Sequence, residues 1–304
     1  MKLLGIGDNV CDVYLPGMNM YPGGQALNVA VNAKRCGAES SYLGVFGDDA
    51  VAAHVQNALK SEGVEFDRCR YYNGQNGCAF VKLEHGDRHF LGSNRGGVLQ
   101  EHPIVLDQED LDYCSSFDVI HTSNNSFLGE ELRKLKELPG LISFDFSGSW
   151  KEVCRVSETG PYIDIAFLSG DGDKPKPAEI AALTLQQYGV GIVCVTRGSR
   201  EITIYHNEQA YHFFPKYVKA VDTMGAGDSF AAAFLTALLC LLKKSGLSFR
   251  KDSLGELLSE AAGTAMDAAA KTCLISGAFG HGISVPEEIR AREMFQEYMQ
   301  KSYV

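Results

Sequence analysis

The string Asp222-Thr-Met-Gly-Ala-Gly-Asp-Ser-Phe230 carries the most legible chemistry in this chain. A turn of small residues, Gly225, Ala226 and Gly227, leads into Asp228 and then an apolar stretch, Phe230 to Leu242, that reads as a buried helix. The first N–H groups of a helix have no partner within it and point outward. They form a site for an anion or for charge developing in a transition state. Small residues let a phosphate approach that backbone closely. A carboxylate on the first turn can then take a proton from a hydroxyl attacking phosphorus. The tripeptide alone also suits a tight strand-to-helix connection, because Asp favours helix starts for local reasons. The full nine residues point to phosphoryl transfer.

A second constellation lies near the N-terminus, in Pro22-Gly-Gly-Gln-Ala-Leu-Asn-Val-Ala30. Gly23 and Gly24 offer backbone that a substrate can approach, and Asn28 sits one helical turn further on. Just before it, the first strand ends in Gly7-Asp8-Asn9-Val10-Cys11-Asp12, which reads as a loop. Carboxylates and an amide in such a loop can bind hydroxyl groups, and a buried site of that kind rejects analogues lacking them. Asp and Asn also occupy turns for local reasons.

These groups need a scaffold that brings residues 8–28 beside residues 222–228. Strands are expected at 2–7, 41–46, 118–122, 141–146, 164–168 and 191–196. Helices are expected at 25–36, 49–62, 107–115, 129–138, 177–188, 227–243, 253–273 and 286–300. Such alternation implies one α/β domain over residues 1–304, with a mainly parallel sheet covered on both faces and ligands beyond the carboxyl ends of its strands. Both motifs are expected to follow strands. Residues 65–97 break the alternation and read as strands without helices, with a His85-Gly86-Asp87 turn. A further hairpin is expected at 201–215, near any nucleotide.

Bulk properties narrow the partners. Net charge is −10 and the sequence pI about 5.3, with Lys and Arg dispersed, which argues against nucleic acid or an anionic membrane surface. The nine cysteines include no Cys-x-x-Cys pair, so neither a zinc site nor a redox dithiol is suggested, and a reducing compartment is. The longest apolar run, Phe230 to Leu242, falls short of the roughly 20 residues that span a bilayer, and a cytoplasmic protein is expected.

The two motifs together resemble the signatures of the PfkB-type, ribokinase-like carbohydrate kinases. That resemblance implies a three-layer α/β/α sandwich with a small β-sheet lid, drawn from parts of 8–20 and 65–97, over a sugar. It implies ATP as phosphoryl donor with Mg²⁺, and Asp228 as base beside an anion hole of Gly225, Ala226 and Gly227. Asp8, Asp12, Gly23, Gly24 and Asn28 become sugar contacts, and Thr196 and Gly198 join Gly225 and Gly227 on the nucleotide side. Asp222 and Thr223 stand where relatives bind a monovalent cation such as K⁺, and relatives often share the lid across a homodimer. Arg95 is the pocket arginine that a sugar acid would favour.

Some positions depart from the common pattern. Asp145-Phe-Ser-Gly-Ser-Trp150 stands in place of Asp-x-Asn followed by Arg, and Ser169-Gly-Asp-Gly-Asp173 replaces Asn-x-x-Glu, which helps hold Mg²⁺. Asp171 or Asp173 could substitute, so the Mg²⁺ ligands stay unassigned. These departures are similar to the fructoselysine 6-kinase branch. They imply a ketose–amine acceptor, with Trp150 either lining its longer pocket or packing in the core. Fructose, ribose, a ketodeoxy acid or a nucleoside as acceptor, or a weakly catalytic regulatory protein, are the alternatives.

Overall fold

Alternate strand residues divide between two apolar cores, one on each face of the central sheet. Leu4, Ile6, Ile120, Ala166, Leu168, Val193 and Val195 enter one core. Leu3, Val119, Ile165, Phe167, Ile192 and Cys194 enter the other. A strand buried on both faces this way belongs to a parallel sheet wrapped by helices. The computed structural model describes residues 1–84, 86–170, 174–250 and 253–302, with backbone alone for Val153, and shows that sheet.

It has nine strands in the order Gln209–Phe213, Ile202–His206, Ile192–Thr196, Ile165–Ser169, Leu141–Ser147, Val119–Ser123, Lys2–Gly7, Glu39–Phe46 and Arg70–Tyr71. Ile202–His206 runs against both its neighbours, and the other pairings are parallel. Helices Gln25–Arg35, Ala226–Ser245 and Gly255–Thr272 cover one face, and Gln108–Cys114, Glu131–Lys136 and Pro175–Gln187 the other. Ala226–Ser245 is apolar and long enough to cross a membrane by length and composition, and most of it is buried in the second core.

A second sheet of five strands, in the order Ile283–Ser284, Asn19–Gly23, Val10–Leu15, Gly77–Glu84 and Asp87–Ser93, forms the lid. Three expectations change here. Asp12 lies in a lid strand rather than a loop, because the chain turns straight from the first strand into Val10–Leu15, which pairs with Gly77–Glu84. The block 65–97 divides: Arg70–Tyr71 extends the main sheet and the hairpin behind it belongs to the lid. The final helix is broken into Glu287–Arg290 and Glu293–Lys301. At the break Arg292 is extended and its Nη2 donates to Asp49 Oδ2 at 2.8 Å. The second piece then packs Phe295 and Tyr298 against Phe80 of the lid. His85, Asp171 and Asp173, singled out in the sequence, lie outside the described residues.

Candidate active site

The parallel strands end at one edge of the sheet, and two helices begin there side by side: Gln25–Arg35 and Ala226–Ser245. Asp228 is on the first turn of the second helix, and Asn28 on the first turn of the other. Asn28 Nδ2 donates to Asp228 Oδ2 at 2.7 Å, closing a gap of 200 residues in sequence. Asn28 is only 3% exposed, and its Oδ1 is buried without a hydrogen-bond partner. An unpaired buried acceptor costs free energy until a donor arrives, so this atom is open to a donor from a ligand.

Asp228 is 9% exposed. Burial pushes its carboxyl up to about 8; the charges on Asp145 and Asp8 add to the rise, and the Asn28 hydrogen bond and Arg88 oppose it. A general base works best when its pKa lies near the operating pH. Burial also raises Asp145 to about 6, against a 2.6 Å hydrogen bond that its Oδ1 accepts from Ser147 N.

The helix start beside Asp228 has no side-chain cap. Gly225 precedes it at φ 71°, and a Cβ there would fall 2.4 Å from Ala278 Cβ. Both the left-handed turn and the close approach require glycine. Ala226 N reaches Thr223 O at a long 3.4 Å, and the amides of Gly227 and Asp228 have no acceptor among the described residues. Gly227 is exposed. Open amides at the positive end of a 20-residue helix are an anion site. This turn does not follow a strand directly, as the sequence suggested. After Gln209–Phe213 the chain runs irregularly through residues 214–224 to reach the centre of the edge.

The substrate-side residues separate into two roles. Asp8 accepts from Gln25 N at 2.8 Å, Ala26 N at 3.1 Å, Ser123 Oγ at 3.0 Å and Ser126 Oγ at 3.2 Å. Three of these donors fall on Oδ1 and one on Oδ2, so the carboxylate is tied to the protein chiefly through Oδ1 and keeps acceptor capacity on Oδ2. It caps the helix that carries Asn28, a role that Gly24, the residue at the cap position, has no side chain to fill. Asp12 is the opposite case: 4% exposed, with no hydrogen-bond partner for its carboxyl among the described residues. Burial drives its carboxyl up to about 7, with Arg88 opposing the rise and Asp222 and Asp8 reinforcing it. Gly23 makes room for it, since a Cβ at that position would lie 2.4 Å from Asp12 Oδ2.

Asp222 is fully buried and accepts from Tyr14 Oη at 2.6 Å, Gly277 N at 2.7 Å and Met224 N at 2.9 Å. Thr223 O accepts from Arg88 Nη1 at 2.7 Å. These oxygens hold the turn and the lid together. Thr196 ends its strand, with Oγ1 at 3.5 Å from Leu168 O, and Gly198 follows at φ 59°. Arg95 is exposed at a lid turn. Trp150 is a core residue: it is buried, and its Nε1 donates to Ser169 O at 2.8 Å. Sequence reasoning missed Arg88 and did not rank Asp145 among the site residues. Arg88 carries no local signal in Arg88-His-Phe-Leu91, because its place depends on how the lid folds over.

Comparison with known proteins agrees with this geometry. The model of the pfkB family carbohydrate kinases matches residues 5–279. The fructosamine kinase FrlD of Bacillus subtilis (strain 168) is 42% identical over 283 residues, covering 93% of this chain and 94% of that protein. The fructoselysine 6-kinase of Escherichia coli (strain K12) is 31% identical over 239 residues, covering 77% and 88% respectively. Among solved structures, a fructokinase double mutant of Vibrio cholerae O395, in its fructose-, ADP- and potassium-bound form, superposes with a TM-score of 0.68 at 19% identity. That match covers 94% of this chain and 95% of the other.

The raised pKa of Asp228 has a thermodynamic consequence. Above an unfolded-state pKa of about 4, the unfolded chain sheds a proton that the folded carboxyl keeps until pH approaches its own value. Folded stability is therefore lost progressively between those limits. Asn cannot ionise, so Asp228→Asn should gain Tm over the wild type as pH rises from 5 to 9. Differential scanning fluorimetry across that range checks this; a Tm difference independent of pH would contradict the buried, proton-retaining carboxyl.

Proposed function

The chain belongs to the pfkB family of carbohydrate kinases, and on that premise we propose that it transfers the γ-phosphoryl group of ATP to a primary hydroxyl of a fructosamine such as fructoselysine. The observation that carries this reading is the Asn28–Asp228 pair, set at the mouth of an uncapped helix. The acceptor hydroxyl gives its proton to Asp228 as its oxygen bonds to the γ-phosphorus, and the bond to the ADP oxygen breaks. The amides of Gly227 and Asp228, with the turn of Gly225 and Ala226, receive charge developing on the transferring oxygens. The open Oδ1 of Asn28 and the unpartnered carboxyl of Asp12 suit sugar hydroxyls, and the relatives' substrates support a fructosamine. Thr196 and Gly198, at the end of the strand Ile192–Thr196, suit the nucleotide side.

No group of three or more His, Cys, Asp or Glu that could hold a metal is assembled among the described residues. Mg²⁺, when bound with ATP, would neutralise charge on the nucleotide phosphates, and its protein ligands stay unassigned. Potassium at Asp222 and Thr223 is an addition to this reading that the potassium-bound fructokinase neighbour supports. The outer lid strands leave Phe90 60% exposed and Leu83 37% exposed, which supports a homodimer formed through the lid. A monomer mass by sedimentation velocity at micromolar concentration would rule the dimer out.

The activity is tested by coupled ADP release with ATP and Mg²⁺ against fructoselysine, other fructose–amino acids, fructose, ribose, ketodeoxygluconate and nucleosides. Turnover is expected to be strongest on a fructosamine, and Asp228→Asn should lower kcat by about 10²–10⁴ while changing sugar KM little. Preferred turnover of a plain sugar would overturn the acceptor. Near-full activity of Asp228→Asn would overturn the base.

A further inference from the structure

The site is crowded with acid. Asp8, Asp12, Asp145, Asp222 and Asp228 are all buried around it. A nucleotide triphosphate would bring further negative charge to the same place. Within these surroundings one basic side chain acts on both Asp12 and Asp228, and it comes from the lid: Arg88 on the strand Asp87–Ser93.

Its guanidinium is already fixed beside the anion hole. Nη1 donates to Thr223 O at 2.7 Å and to Thr223 Oγ1 at 3.2 Å, two residues before Gly225. Thr223 Oγ1 in turn reaches Asp87 Oδ1 at 3.3 Å, and the guanidinium carbon lies 5.8 Å from the Phe90 ring centre. Arg88 Nε, by contrast, is buried and has no acceptor. Burying an arginine N–H without an acceptor is costly, and a planar guanidinium with one edge engaged presents its remaining donors in a fixed fork suited to phosphate oxygens. Its partners hold it in place without using that donor.

We propose that Arg88 is a lid-borne catalytic cation that donates to the transferring phosphoryl group opposite the helix amides. This rests on the kinase reading above. In the step, the acceptor O–H loses its proton to Asp228 and the acceptor oxygen bonds to the γ-phosphorus. The bond to the bridging oxygen breaks, and ADP keeps that electron pair. Asp228 later returns the proton to water. The three equatorial oxygens carry spread negative charge in between, and Arg88 meets it from the lid side. The arrangement also makes turnover depend on a seated lid, since the arginine belongs to a lid strand.

The test compares wild type with Arg88→Met and Arg88→Lys, using ATP, Mg²⁺ and whichever sugar of the panel the wild type phosphorylates best. Arg88→Met should lower kcat by about 10²–10³ with sugar KM within about threefold, the size seen on removing a transition-state donor. Arg88→Lys should recover only part of the loss, because an ammonium lacks the fork. Titration with ADP and aluminium fluoride, which mimics the transferring group, reads the assignment without turnover. Arg88→Met should bind that mixture at least tenfold more weakly and ADP alone equally well. If Arg88 merely tethers the lid, the variant will show raised sugar KM with kcat retained and unchanged binding of the mimic, and the proposal fails. A wild type inert on every sugar would sink the kinase reading while the mimic titration still decides the role of Arg88.

Discussion

One hydrogen bond, from Asn28 Nδ2 to Asp228 Oδ2 at 2.7 Å, sets the requirement that the rest of the fold meets. Each partner sits on the first turn of its own helix, so the bond forms only if both helices start at the same height above the same strands. Two devices secure that height. The Asp8 carboxylate, at the end of the first strand, grips the first amides of helix Gln25–Arg35. Asp222, by accepting from Gly277 N and Met224 N, pins the turn that feeds helix Ala226–Ser245. Tyr14 of the lid also donates to Asp222, so lid and anion hole share an anchor.

The second constraint is electrostatic. Burying several carboxylates near each other disfavours their charged forms, and Asp12, Asp145 and Asp228 are all raised accordingly. For a structural carboxylate that would be a cost without return. For a base that must hold a proton taken from an alcohol, it is an advantage. Hydrogen bonding separates them: Asp8 and Asp222 are tied to the protein by several donors, whereas the carboxyl of Asp12, on the lid itself, has none among the described residues.

Much of this was legible in the sequence because it is local. Small residues around Gly225 specify a left-handed turn before a helix, and an alternating β–α pattern specifies a covered parallel sheet. Helices at 25–36 and 49–62 and the strand at 2–7 were placed within a residue or so of Gln25–Arg35, Ala50–Glu62 and Lys2–Gly7. Features set by distant contacts were harder to read. Nothing near Asp8 reveals that its four donors come from residues 25, 26, 123 and 126, so its capping role was not legible. Nothing near Arg88 reveals Thr223, which lies 135 residues away. Trp150, similarly, is settled by the Ser169 carbonyl that satisfies its N–H inside the core.

In the proposed reaction a buried carboxyl, tied to Asn28 and retaining its proton near neutral pH in the empty site, becomes the base. The pH dependence of kcat/KM for the sugar tests it most directly, because that parameter reports ionisations of the enzyme form that meets the sugar. With the preferred sugar varied at saturating ATP and Mg²⁺, kcat/KM should rise between pH 6 and 9, with a component that is absent from the residual activity of Asp228→Asn. A profile already flat above pH 5.5, or a rise that survives in Asp228→Asn, would contradict it.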